Sequence, residues 1–265
     1  RDFMKVAAGA VALAGCRGET AEARAPAPVV SPPPVVKAEP LGQPPWPTSD
    51  PFLFCVYHQD DYPAGNAGMG PQASLASRSL GRDFSGKDGW SMYHGRKVPG
   101  FPRHPHRGFE TVTIVNTGYL DHSDSLGATA RIGPGDVQWM TAGRGICHAE
   151  MFPLRSQDQG NPTEFFQIWL NLPARRKMVP PRFTMFWDHQ VPVHKEGTTD
   201  GIATVQTIAG SLDQKTPPAP PPDSWASEPG ADVAMWVIDL EPGAAWSLPP
   251  VAAGVERSLY FYEGT

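Results

Sequence analysis

Two short segments carry the residues best suited to chemistry. In FPRHPHRGFET (101–111), His104 and His106 are two apart; in GRGICHAEMFP (143–153), His148 and Glu150 are two apart. In an extended chain, residues i and i+2 point to the same face. Pro105 favours that geometry, because the residue before a proline is pushed into the β region. Each pair therefore offers two donors on one face, and together they supply three imidazoles and one carboxylate. That set suits Fe(II), Mn, Co, Ni, Cu or Zn. Four ligands on an octahedral ion leave two positions for a substrate oxygen and O2, or for water. Glu110 lies four residues beyond His106 and shares its face only if the strand runs unbroken through Arg107-Gly108.

Such donors need a scaffold of strands, and the sequence supplies one. FLFCVY (52–57) is a continuous apolar run of buried-strand type, and ETVTIVN (110–116) alternates with β-branched residues. DVQWM, FFQIWLN, RFTMFW, IATVQTIAG, DVAMWVIDL and RSLYFY continue the series, separated by DSLG, GPGD, TAGRG and EPGA. Many short strands punctuated by glycine and proline predict an all-β barrel or sandwich. LPARRKMVPP (172–181) is a seam between two strand-rich blocks, so one domain is expected over 52–175 and a second over 176–265. TPPAPPPD (216–223) reads as a surface loop of the second block. His189 and His194, five apart, form no ligand pair there, and no metal is expected in that block.

The chain has 31 prolines and 27 glycines in 265 residues, more than a fifth of the total, which fits turns and linker better than long helices. A net charge of −5 argues against a nucleic-acid-coating protein. Residues 1–16 combine a basic start, a short apolar stretch and Leu13-Ala14-Gly15-Cys16. That order is the pattern of an export signal. It resembles the later half of a twin-arginine leader followed by a bacterial lipobox, with Cys16 as the lipidated residue. The expectation is an exported protein, facing the periplasm or cell exterior and held at a membrane by its lipid alone. Residues 17–51, rich in Ala and Pro, read as a semi-rigid spacer. The chain begins at Arg1 and stops within the strand-like SLYFYEGT, so it is expected to be a fragment at both ends, with an incomplete second domain.

The strings HPHRGFETVT, GYLDHSDSLG and IGPGDVQWMTAGRGICHAEM, continuing into FQIWLNLP, resemble the N-terminal barrel of the pirin family. The resemblance extends over roughly 52–265 and is weakest in the Pro-rich insert. It implies a bicupin, two jelly-roll barrels with the metal in the first, and it implies His104, His106, His148 and Glu150 as ligands. Glu110 is then a pocket residue, and Glu150 or Glu110 assists proton transfer. The implied cofactor is one divalent ion, Fe(II) foremost. The implied substrates are a flavonol or related phenolic and O2, as in quercetin ring opening. Pirins also resemble redox-sensitive protein partners, so a non-catalytic sensor or protein-binding module is the alternative; a sugar- or small-molecule-binding cupin is a third. No nucleic-acid partner is implied, and a monomer is expected.

Overall fold

The computed structural model describes residues 4–12, 37–197, 201–252 and 254–264. Cys16, and with it the proposed lipidation site, lies outside the described residues. The strands in chain order are β1 (Met4–Ala12), β2 (Phe52–Tyr62), β3 (Gly100–His106), β4 (Phe109–Thr117), β5 (Leu120–Asp124), β6 (Thr129–Ile132) and β7 (Val137–Thr141). They continue with β8 (Ile146–Met151), β9 (Asn161–Asn171), β10 (Arg182–Phe186), β11 (Val193–Gly197), β12 (Ile202–Ala209), β13 (Ala234–Leu240) and β14 (Val255–Glu263). The protein is all-β, and the helical pieces among the described residues are single 3-10 turns.

The described residues divide into two compact units, one over Leu53–Gln190 and the other from Val191 onward, the latter joined by the described residues up to Phe52. This moves the seam expected at 175/176. After the Pro-rich LPARRKMVPP the chain returns to the first unit, where β10 pairs antiparallel with β7, Arg182 opposite Thr141. A proline-rich stretch ends pairing, but it does not decide on which side the next strand lands.

The first unit contains two antiparallel sheets, ordered β10-β7-β4-β9-β2 and β3-β8-β5-β6. They share one core: Tyr62, Val115 and Phe165 from the first sheet meet Leu120 and Ile132 from the second, with Trp90, Met92 and Phe152 from the connections. This is the two-sheet jelly-roll arrangement that a cupin requires. β4 is central, and Glu110 to Val115 are all buried, so its β-branched run is covered on both faces rather than on alternate residues. The GPGD corner closes as expected: the Asp136 carboxylate accepts from the Gly133 N–H at 2.9 Å.

The second unit is a single antiparallel sheet, β11-β12-β13-β1-β14, with a core of Val205, Leu212, Trp236 and Ile238. Met4–Ala12, which falls within the export signal expected over residues 1–16, stands here as β1, pairing with β13 on one side and β14 on the other. The end of the expected spacer is not free chain either. Trp46 is buried and stacks on Tyr260 with ring centroids 5.4 Å apart, and the Tyr260 hydroxyl donates to the Pro47 carbonyl at 2.5 Å. Pro217 and Pro221 of the second Pro-rich stretch are likewise buried.

Candidate metal centre

β3 and β8 are neighbours, and the antiparallel register sets His104 directly opposite His148. A register shift between Phe101 and His104 brings both histidines of β3 to the end of β8 that carries His148. Gly100 permits the close approach: its φ is 122°, and a Cβ there would lie 2.4 Å from the Glu150 carbonyl oxygen. The β8 pattern is buried at Ile146, His148 and Glu150 and half-buried at Cys147, Ala149 and Met151. The ligand pair therefore faces inward, as the two-residue period requires.

The donor atoms of His104, His106 and His148 lie within 4.8 Å of one another. The Nε2 atoms of His104 and His106 are 3.0 Å apart. Two cis ligands each ~2.1 Å from one octahedral ion would sit at about that distance. The His104 ring is fixed from behind, its Nδ1–H donating to the Pro102 carbonyl at 2.9 Å and leaving Nε2 bare. His148 is 1% exposed, and its Nε2 has no hydrogen-bond partner. A buried ring nitrogen without a partner is costly unless something electrophilic takes its lone pair. Burial, followed by the charges of His148 and His104, pushes His106 down to about 4. Burial does the same to His148, partly offset by Glu150, again to about 4. Both rings are thus neutral near pH 7, the form that binds a cation. The donor set fits a divalent transition ion.

Glu150 is 2% exposed and held from three adjacent strands. Its Oε1 accepts from Gln138 Nε2 on β7 at 2.8 Å and from Thr113 Oγ1 on β4 at 3.3 Å. Its Oε2 accepts from Gln167 Nε2 on β9 at 2.7 Å. Burial alone would raise its carboxyl; facing His148, the Gln167 amide, His122 and the Gln138 amide outweighs that and holds it below the usual carboxylate range. The Glu150 oxygens group with His122 and His148 within 4.8 Å, whereas His104 and His106 group with His148. His148 is the member common to both sets.

Glu110 is a correction. β3 and β4 belong to different sheets, and the turn at Arg107-Gly108 breaks the face that Glu110 would have shared with His106. On β4 the side chain that reaches Glu150 is Thr113, an odd-numbered position; Glu110 has the parity of Val112 and Ile114 and so points to the other face. There it accepts from Thr141 Oγ1 at 2.7 Å and is wholly buried. It is no proton-transfer group of this centre. His122 lies in neither ligand pair. It is buried on β5 opposite Glu150, with Asp124 opposite His148.

Aromatic side chains flank the half-buried histidines. Phe101 lies 6.3 Å from His104, and Trp169 lies 5.2 Å from His106 and stacks on Phe109 at 4.2 Å.

A two-sheet β-barrel that brings His104, His106 and His148 together, with Glu150 grouped around the same His148, is a cupin barrel with a candidate metal site. Residues 40–170 match the family model described as Pirin, which identifies a pirin-family domain within this chain. A pirin-like protein of Caulobacter vibrioides is 44% identical over 73% of this chain and 64% of its own. A Pseudomonas aeruginosa protein provisionally named a quercetin 2,3-dioxygenase is 42% identical over 54% of this chain and 47% of its own. Human pirin is 41% identical over 50% of this chain and 44% of its own. The chain thus spans about half the length of these relatives.

Proposed function

We propose that this chain carries the metal-binding barrel of a dioxygenase acting on a flavonol or related phenolic. The observation behind it is the buried His148 Nε2, which has no hydrogen-bond partner, beside the His104 and His106 imidazoles and an ionised Glu150, with Phe101, Phe109 and Trp169 next to the half-buried pair. His104, His106, His148 and Glu150 would hold the ion. When bound, a divalent ion of the Fe(II) class lowers the pKa of a phenolic hydroxyl and supplies one-electron chemistry toward O2. The protein's share is positioning. Phe101 on one side and Phe109 with Trp169 on the other offer faces to a planar ring. Glu150, kept charged by Gln138 and Gln167, is the group able to accept the phenolic proton. O2 consumption by the full-length, Fe(II)-loaded protein with quercetin is expected to exceed that of free Fe(II) at equal concentration. Equal rates, with the metal retained, would remove the substrate assignment and favour a sensor.

We also infer export and lipid anchoring at Cys16, supported by the basic start and Leu13-Ala14-Gly15-Cys16. A mature chain cannot both lose Met4–Ala12 and use it as β1. The expected mass of the N-terminal peptide from the membrane fraction is that of a diacylated Cys16; an unmodified peptide retaining Met4–Ala12 excludes the anchor.

A further inference from the structure

We propose that His122 and Asp124 form a relay that fixes the tautomer of His148 and so sets how tightly the ligand group holds its ion. The inference rests on the metal site proposed above but not on the reaction.

Both relay side chains are completely buried. His122 Nε2 lies 3.0 Å from Asp124 Oδ2, and a carboxylate only accepts, so Nε2 carries the proton. The Asp124 carboxylate cannot swing away, because its other oxygen accepts from the Leu126 and Ala128 N–H groups at 2.8 and 3.1 Å. Phe183 of β10 stacks on the His122 ring, centroids 4.3 Å apart and planes 21° apart, which holds its orientation. With that proton on Nε2, the lone pair of the ring lies on Nδ1, which faces His148 Nδ1 at 3.5 Å. Two bare nitrogens would repel, so His148 places its own proton on Nδ1. That leaves a lone pair on Nε2, the atom that has no partner. The proton order along Asp124, His122 and His148 thus prepares the ligand before any ion arrives, and polarises it once the ion is bound.

The same residues do not make a second ion site. His122, His148 and Glu150 approach within 4.8 Å, but His122 Nε2 is committed to Asp124 and its Nδ1 to His148.

Asp124→Asn tests the relay with almost no change of shape. The oxygen that accepts from Leu126 and Ala128 must remain an oxygen, so the new amide nitrogen takes the place of Oδ2 and donates to His122 Nε2. The His122 proton moves to Nδ1, donates to His148 Nδ1, and drives the His148 proton onto Nε2. Co(II) affinity of the full chain, read by d–d absorption against a competing chelator, is expected to fall by about 10–100-fold at a stoichiometry of one ion per chain. In the metal-free wild type, long-range proton–nitrogen NMR is expected to show His148 protonated at Nδ1 and His122 at Nε2. The wild-type spectrum decides the matter even if the variant does not fold. An affinity within twofold of wild type, a His148 Nδ1 without a proton, or two Co(II) ions per chain would each overturn the relay. None of these readouts depends on O2 turnover, so a protein that binds one ion but oxidises no phenolic would remove only the proposed reaction.

Discussion

Exchanging His148 for alanine is expected to lower the affinity for Zn(II) or Co(II) by more than about 100-fold, beyond the loss typical of removing a supporting residue. His148 is common to both groups of donors, the half-buried pair on β3 and the buried set around Glu150. Its Nε2 is the atom of the site whose burial is otherwise uncompensated. Without it, His104 and His106 are left as a two-point site on a partly solvated strand, and Glu150 as an anion neutralised only by amide and hydroxyl donors. His106→Ala should cost less, since the shared ring and Glu150 remain. Metal content after dialysis, and a calorimetric titration of the apoprotein, measure both. Retention of one ion per chain by His148→Ala would show that the ion binds elsewhere.

The ligand pairs were legible because a period of two is the simplest rule a strand obeys, and Pro105 keeps His104 extended. What surrounds them was less so. Gln138 and Gln167 each sit singly in an apolar run, which reads as one polar position of a half-solvated strand. Only the packing of β7, β4 and β9 side by side reveals that both amides converge on one carboxylate. His122 and Asp124 form an H-x-D spaced like the ligand pairs, but nothing in the spacing says that β5 lies beside β8. The misreading of Glu110 has a local cause. Gly108, with φ at 79°, takes a turn that its sequence permits but does not announce, and the chain crosses from one sheet to the other. The seam was misplaced for a related reason. Strand identity follows from composition, but strand pairing follows from what the strand can cover.

Metal-free protein is expected to lose several kcal/mol of stability between about pH 6.5 and pH 4. Three histidines set the sign. His58 is 8% exposed, stacked on Phe165 at 4.4 Å and edged by Tyr93 and Phe152; burial, only partly offset by Glu150, takes it down to about 4. His106 and His148 stand at about 4 as well. A folded value below the unfolded one means that the unfolded chain binds more protons in this window. Stability therefore falls as pH falls from about 6.5, and the loss is complete below about 4. His58 and His148 each contribute on the order of 3 kcal/mol at the acid end, and the partly exposed His106 less. Asp60 opposes them. Burial raises it to about 6 despite hydrogen bonds from Tyr93 and Ser91, so its protonation favours the fold as pH drops. Three histidines outweigh one carboxyl, and the net slope is toward instability in acid. A bound ion steepens it, because protons compete for His106 and His148 in the same range. Urea unfolding of apo and metal-loaded protein at pH 7.5 and pH 5 measures both effects. The midpoint should drop in each case, more in the loaded protein, and His58→Phe should flatten the apo dependence. An apo midpoint at pH 5 equal to that at pH 7.5 would show that these rings are already solvated when the ion is absent.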